Sequence, residues 1–318
     1  MTTTKLKPDW AGDDLLSQFV NRLIKTKPIY ALMKQQARQV LIKTAEKNGI
    51  PWRQTCLDLD IPEVKDQLGP LTNPEVAYPD YYQVPFHAYA EGNLCWQAAF
   101  EAAPATYAMA LRVWAQEQLT WPEAQTRLRQ SFHQVLADHG PQPVRDILDI
   151  GCSIGISTLS LHRYYASTQP QPVRTVGLDL SPYMLAVAKA SDTQGEVAQW
   201  IHGRAEATGL PDASFDLVSL QFVTHELPRQ ATQTIFAECL RLLRPGGALA
   251  LVDNNPQSAV IQSLPPVLFT LMKSTEPWSD DYYTFDLEQA LVEAGFSAPV
   301  TVPSDPRHRT LVAGKPAL

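Results

Sequence analysis

Short apolar runs alternate with helical segments after residue 140, and this alternation is the strongest constraint on the fold. The predicted strands are Asp146–Ile150, 173–179, Gln199–His202, Phe215–Gln221 and 248–253. Helical patterns at 181–190 and 229–243 lie between later strands, and the chain closes with a predicted hairpin at 299–302 and 310–312. Strands that alternate with helices form a mostly parallel sheet covered on both faces, so the pattern predicts an α/β fold.

The first 140 residues have a different pattern. From about residue 13 the apolar residues recur at helical spacing, and Thr120, Pro122 and Glu123 are typical of a helix start. Residues 78–93 are rich in aromatics and proline and predict an ordered loop. We therefore expect two parts: a helical N-terminal region (1–140) that covers a substrate, and an α/β domain (141–318).

The composition argues against several classes of protein. The formal charge is −7 without a dense run of Lys or Arg, so nucleic acid is not an expected partner. No stretch approaches the ~18 consecutive apolar residues of a membrane span, and no signal segment is evident, so we expect a soluble, cytoplasmic protein. The four cysteines are scattered without CxxC spacing, and no metal site is predicted. The oligomeric state stays open.

The exit of the first strand is the predicted ligand-binding loop. Asp149 is followed at intervals of two by Gly151, Ser153 and Gly155. In an open α/β sheet, ligands bind beyond the carboxyl ends of the strands, where small residues let the backbone approach them. A dinucleotide fingerprint would require glycine at 153 and 156, where this chain has Ser153 and Ile156, so a nicotinamide dehydrogenase is disfavoured.

Four motifs in order resemble the class I S-adenosylmethionine-dependent methyltransferases, including the UbiE-like small-molecule enzymes. They are the loop at 149–155, Asp179 at the end of the second strand, the segment 203–218, and the turn 240–248 into the fifth strand. The resemblance covers roughly residues 141–318. It implies S-adenosylmethionine as cofactor and a Rossmann-like, mostly parallel seven-stranded sheet with helices on both faces, preceded by the helical region.

The same resemblance implies the cofactor-binding residues. Asp179 is expected to accept hydrogen bonds from the ribose, and Gln221 to lie close to the reacting end. The family commonly has aspartate where this chain has Arg204, so the Ala205 backbone and the Glu206 side chain are the expected adenine contacts. The full set is Asp149, Gly151, Ser153, Gly155, Asp179, Leu180, Ala205, Glu206 and Gln221.

His225 follows the fourth strand, where methyl donor and acceptor should meet, and is the candidate catalytic residue. An imidazole can remove a proton from an attacking phenol, enol or ammonium group, although alignment alone supplies much of the rate of such transfers. The alternative is a structural loop histidine. The segment 253–256 (DNNP) follows the fifth strand rather than the fourth, so it does not indicate the Asn-Pro-Pro-Tyr type of methyltransferase.

The loop at 78–93 supplies the candidate acceptor-binding residues, namely Tyr82, His87, Tyr89 and Asn93. Aromatic faces can pack a flat acceptor, and polar tips can orient it. An aromatic cluster that joins the helical region to the sheet is the alternative, and both can hold. The segments 257–274 and 278–283 are expected to close the opposite side.

We therefore expect a methyltransferase that acts on a small molecule by direct in-line displacement. Two other functions stay open at this point. One is methylation of a protein or RNA, with the helical region as docking platform. The other is a non-catalytic protein that binds S-adenosylmethionine.

Overall fold

The computed structural model describes residues 15–25, 27–87 and 89–317. The N-terminal helices are α1 Leu15–Lys25, α2 Lys27–Lys47, α3 Trp52–Leu59, α4 Pro62–Lys65, α5 Leu68–Leu71, α6 Trp96–Val113 and α7 Trp121–His139. The later helices are α8 Ile156–Thr168, α9 Pro182–Ser191, α10 Arg229–Leu242, α11 Ala259–Gln262, α12 Pro266–Lys273, α13 Ser279–Tyr283 and α14 Leu287–Glu293. The strands are β1 Asp146–Ile150, β2 Arg174–Asp179, β3 Gln199–His202, β4 Phe215–Gln221, β5 Leu243–Asn254, β6 Val300–Val302 and β7 His308–Gly314.

The strands form one seven-stranded sheet in the order β3-β2-β1-β4-β5-β7-β6. Strands β1 to β5 run parallel, and β7 runs antiparallel between β5 and β6. This confirms the predicted Rossmann-like α/β fold and the closing hairpin. Strand β7 is longer than the prediction because it pairs with β5 over seven residues, from Ala248 opposite Gly314 to Asn254 opposite His308.

Alternate side chains of each central strand are buried on opposite faces of the sheet. Leu148 and Ile150 of β1 pack with residues of α10 and α14, whereas Ile147 packs with Phe132 of α7 and with residues of α8. A strand covered on both faces has no polar side to show, which explains the continuous apolar runs in the sequence. The result is a three-layer α/β/α arrangement.

Helix α7 begins with the predicted capping box, formed by Thr120 and Glu123. Its residues Phe132 and Val135 belong to the core of the sheet. The last helix of the predicted N-terminal region is therefore packed directly on the α/β domain, and the earlier helices extend from there.

All five parallel strands end on one side of the sheet, which we call the carboxyl edge. Two stretches of chain lie against it, and we call them together the covering chain. The first is the predicted loop 78–93, which contains a short 3-10 turn at Asp80–Tyr82 and a backbone bridge between Phe86 and Tyr89. The second runs from α11 to α13. Within the described residues, every helix is too short or too polar to cross a lipid bilayer.

Candidate active site

The loop after β1 turns sharply through three residues in the left-handed region. Gly151 has φ 68°, Gly155 has φ 80°, and Ser153 adopts φ 49° although it is not glycine. The amides of Gly151 and Cys152 both donate to the Leu178 carbonyl, at 2.8 and 3.0 Å, which holds the loop against β2. A Cβ on Gly155 would lie 2.6 Å from the ring of Trp200, so close packing also requires glycine there.

Asp179 lies at the end of β2 and faces this loop. One carboxylate oxygen accepts from the Ser153 amide at 2.8 Å, and the other accepts from the Ser181 amide at 2.7 Å. Burial raises the pKa of Asp179 to about 6, although both amides favour the charged form. Each oxygen keeps a lone pair, so the carboxylate can still accept from a diol.

Asp149 lies beneath the loop rather than on its ligand side. Its carboxylate accepts from Thr158 at 2.6 Å and from the Ser219 hydroxyl, which ties β1 to α8 and β4. The side chain is buried. Its hydrogen bonds are therefore structural, and its predicted part in cofactor binding would act through the loop that it supports.

The predicted adenine contacts lie next to the loop at 78–93. Glu206 accepts from the Tyr81 hydroxyl at 2.6 Å, and Arg204 lies 3.8 Å from its other oxygen. The Leu180 carbonyl lies 3.2 Å from Nε2 of His202. Because Nδ1 of His202 accepts from the Asn73 amide at 2.9 Å, Nε2 carries the proton. His202 thus binds the chain just before the loop at 78–93 to the carboxyl edge.

Two buried donors near the end of β4 make no close hydrogen bond among the described residues. They are Nε2 of Gln221, which faces the Asp149 carboxylate, and Nε of Arg129 on α7, and both residues are 7% exposed. The Arg129 guanidinium stands 5.5 Å from the centre of the Phe222 ring and makes no ion pair within the described chain. Burial lowers the pKa of Arg129 to about 10. The nearby Asp149 carboxylate opposes this shift, but the buried Nε donor stays without a hydrogen bond, so this position favours an anionic ligand group.

His225 lies in a 3-10 turn after β4 and is held by the end of β5. Its Nδ1 is 2.8 Å from Oδ1 of Asp253, and its backbone amide donates to Oδ2 at 3.0 Å. The Thr224 hydroxyl and the Asn254 amide also donate to Asp253, at 2.6 and 2.7 Å. A carboxylate can only accept, so Nδ1 carries the proton and Nε2 faces away from Asp253.

The charges around His225 change its acidity. Burial lowers the pKa of His225, but Asp253, Glu226 and Glu276 outweigh it and raise the pKa to about 10. Burial raises the pKa of Glu226 to about 7, against the opposing effect of His225. At neutral pH such a ring is protonated on both nitrogens, so it becomes a proton acceptor only when a nearby positive charge lowers this pKa.

The loop at 78–93 brings two of the predicted acceptor-binding residues to His225 and Glu226. Nε2 of His87 lies 3.8 Å from Oε1 of Glu226, and Nδ2 of Asn93 lies 3.4 Å from Oε2. Tyr82 is close enough to Glu226 and Asp179 for both charges to raise its pKa, after burial, which is the main cause.

The structure gives Tyr89 a different set of contacts. Its hydroxyl donates to Glu101 at 2.7 Å, and the same carboxylate pairs with Arg38. Tyr89 therefore joins the loop to α6, within the predicted helical region.

The covering chain is packed closely on the carboxyl edge. The Ser181 hydroxyl donates to the Asn93 carbonyl at 2.7 Å, and the Trp278 indole donates to the Tyr81 carbonyl at 3.2 Å. The cavity left beneath has a volume of about 10 Å³ and is lined by Tyr81, Tyr82, Val84, Phe86, Asn93 and Glu226. Ligand sites usually need about 300 Å³ or more, so entry of a nucleoside-sized ligand requires these residues to move.

Sequence reasoning missed three residues of this site. No role was predicted for Glu226, and Asp253 was considered only as part of the DNNP segment. Asp253 could have been found, since it ends the strand predicted at 248–253. Arg129 also left a signal, because Gln125, Arg129 and His133 form a polar row at intervals of four along a helix with an apolar face.

Known proteins are similar in sequence to the α/β part of this chain. The family model for a methyltransferase domain matches residues 148–251. An uncharacterized methyltransferase from Synechocystis sp. is 33% identical over 168 residues, which cover 52% of this chain and 74% of the relative. The demethylmenaquinone methyltransferase of Lactiplantibacillus plantarum is 33% identical over 129 residues, covering 39% of this chain and 52% of the relative. This chain thus spans only about half the length of that second relative.

A solved structure shows the same fold. A candidate O-methyltransferase from Nostoc punctiforme superposes with a TM-score of 0.53 at 20% identity, over 83% of this chain and 72% of that one. The chain belongs to the class I S-adenosylmethionine-dependent methyltransferases, and S-adenosylmethionine is its cosubstrate.

Proposed function

We propose that this protein methylates a small molecule that binds beside His225, under the loop at 78–93. The observation that carries the proposal is the pair of His225 and Asp253 at the ends of adjacent strands, directly opposite polar residues of the covering loop. The relatives named demethylmenaquinone methyltransferase support a small acceptor. A net charge of −7 favours it over nucleic acid.

S-adenosylmethionine supplies an electrophilic methyl group on a positively charged sulfur. The residues of the carboxyl edge fit its polar parts. Asp179 would accept from the ribose hydroxyls, and the 151–155 loop would face the amino-acid portion. The unpartnered donors of Arg129 and Gln221 would bind its carboxylate, since a carboxylate satisfies both at once.

His225 would receive the proton that the acceptor loses. Asp253 holds the ring by Nδ1, so Nε2 is the nitrogen that can accept. A positive charge nearby lowers the pKa of a histidine, so the sulfonium favours the neutral ring. His225 would also orient the acceptor hydroxyl or amine toward the methyl carbon, which contributes through alignment.

The covering chain would act as a lid. Tyr82, His87 and Asn93 are the lid residues closest to Glu226 or Asp179. Because the cavity beneath them is small, they must open to admit ligands and can then close on them. Closure would exclude water from the site, as in other lidded enzymes.

The test is incubation of the purified chain with methyl-labelled S-adenosylmethionine and a fractionated cell extract. We expect label in a low-molecular-weight fraction, with a mass gain of one methyl group. Label only in protein or RNA would support docking on the helical region instead. Tight cofactor binding without transfer to any fraction would support a non-catalytic role.

A further inference from the structure

His87, His225 and Glu226 bring three metal-ligating groups together, although the sequence predicts no metal site. One ligand atom from each residue lies within 4.8 Å of the other two. Oε1 of Glu226 is 3.8 Å from Nε2 of His87 and 4.0 Å from Nε2 of His225. These separations exceed hydrogen-bond length, so the three groups surround a common space without bonding to one another.

We propose that these three side chains bind a divalent first-row transition-metal ion of the Zn²⁺ type. Two imidazoles and one carboxylate form a ligand set that such ions use in catalytic sites, with a further position open. Metal–ligand bonds of ~2.1 Å in a tetrahedron place ligand atoms about 3.4 Å apart. The side chains of His87, His225 and Glu226 therefore need to close by no more than about 1.4 Å from their largest separation of 4.8 Å.

The hydrogen-bond partners of His225 and Glu226 leave one ligating atom of each side chain free to bind an ion. Asp253 accepts from Nδ1 of His225 at 2.8 Å, which leaves Nε2 for the ion. Asn93 lies 3.4 Å from Oε2 of Glu226 and leaves Oε1 free. A carboxylate that holds the remote nitrogen of a histidine is the usual support of a metal-binding imidazole.

His87 provides a second, independent observation. It has φ 46°, a left-handed conformation that a non-glycine residue rarely adopts. Its amide donates to the Thr275 carbonyl at 2.9 Å, and its ring stands 4.2 Å from the centre of the Phe86 ring. Such strain persists where surrounding contacts impose it and is concentrated at functional sites. The side chain is 39% exposed, so solvent reaches the ligand set.

The open coordination position would face the acceptor side of the lid. An ion there would bind an acceptor oxygen and lower the pKa of its hydroxyl. Because the ion would occupy Nε2 of His225, the proton would pass to solvent, and His225 would act as a ligand in place of the proton acceptor proposed above. This role rests on the proposed function, whereas binding of the ion does not.

The closing experiment measures metal binding directly. The full chain is stripped with a chelator, dialysed and titrated with Zn²⁺ by calorimetry, then with Co²⁺ by visible absorption. We expect one ion per chain and a Co²⁺ spectrum of a site with nitrogen and oxygen ligands. H87Q and E226Q should each weaken binding roughly 10- to 100-fold or more, and D253N by a similar factor through His225.

The matched control is H139Q, which removes an exposed histidine at the end of α7 and should leave binding unchanged. Binding that is absent, or equal in H87Q, E226Q and the parent chain, would overturn the site. Titration of the same preparations with S-adenosylmethionine tests the proposed function separately. Methyl transfer at an undiminished rate by the metal-free chain would overturn the catalytic role of the ion.

Discussion

The two halves of the carboxyl edge are built in different ways. At β1 and β2, the carboxylate of Asp179 is held by backbone amides of the adjoining loops. At β4 and β5, His225 is held by a side chain of the neighbouring strand, and its other neighbours include Glu226, the Tyr282 ring of α13 and His87 of the covering loop. The backbone amides hold the Asp179 carboxylate rigidly in place to accept hydrogen bonds from any adenosyl group. Side chains from distant segments, in contrast, can differ between enzymes with different methyl acceptors. The comparison indicates that cofactor binding and acceptor chemistry are separable by mutation.

The largest expected effect is on chemistry at the β4 and β5 half. His225→Ala should lower kcat on the identified acceptor by roughly 10²- to 10⁴-fold, because the proton acceptor is lost. The Kd for S-adenosylmethionine should stay within a factor of a few. Single-turnover transfer of labelled methyl and calorimetry measure the two quantities. His139→Ala serves as control, and unchanged turnover at every pH would exclude His225 from the chemistry.

At the β1 and β2 half, we expect a change in S-adenosylmethionine binding rather than in the chemical step. Asp179→Asn should weaken S-adenosylmethionine binding by about 100-fold, since charge-assisted hydrogen bonds of roughly 1.5–3 kcal/mol are lost. Calorimetric titration measures this.

Asp192→Asn is the matched control for that change. Asp192 is also buried and accepts two backbone amides, those of Glu196 and Val197, but it lies at the other end of α9. The Asp192→Asn variant should lose stability in chemical denaturation and keep its affinity for S-adenosylmethionine. Equal affinity loss in both variants would show that the Asp179 effect is structural.

A smaller effect is expected at Arg129, between the two halves. Arg129→Met should weaken S-adenosylmethionine binding roughly 10- to 30-fold through loss of one charge-assisted contact. Its melting temperature without ligand should not fall, because the guanidinium makes no ion pair within the described chain. Arg163→Met, which breaks a surface pair with Glu196, is the control. A lower melting temperature with unchanged affinity would assign Arg129 to the fold alone.

The smallest effect is a pH dependence of cofactor affinity. Asp179 has a pKa of about 6, raised mainly by burial and further by the nearby charge of Asp149. Above pH 6 the carboxylate is ionised and accepts fully. As the pH falls below 6 it is protonated, so affinity should decline by up to about tenfold per pH unit. Asp179→Asn should flatten this decline in calorimetry between pH 5 and 7, and a parent curve without slope would contradict it.

The fold could be predicted because its signals are local. Strands β1, β3 and β4 have the predicted bounds, and the alternation with helices required a parallel sheet. The ligand-binding loop was also visible, since Gly151 and Gly155 allow the left-handed turns that the structure contains. Ser153 in the same region shows that the turn tolerates a serine at one of its left-handed positions.

The acceptor half could be predicted only in part. His225 was identified from its place after β4. Its partner Asp253 lies 28 residues away in sequence, and His87 lies 138 residues away. Tyr89 shows the converse, because its hydroxyl binds Glu101 of α6 and not the groups around His225. No local sequence pattern distinguishes His87, which lies beside Glu226, from Tyr89, which binds Glu101.

The amino-acid sequence by itself determined the α/β class, the cosubstrate and the loop that turns beneath it. The α/β class and the loop depend on hydrophobic periodicity and on backbone conformations that neighbouring residues permit, whereas the cosubstrate was implied by the resemblance of four ordered motifs to a known family. The tertiary structure decided which charged groups meet: His225 with Asp253, His87 with Glu226, and Arg129 with the field of the buried Asp149 but without an ion pair in the described chain. The physical reason is that burial and charge pairing depend on strand order and on the path of the covering chain, which bring together residues far apart in sequence.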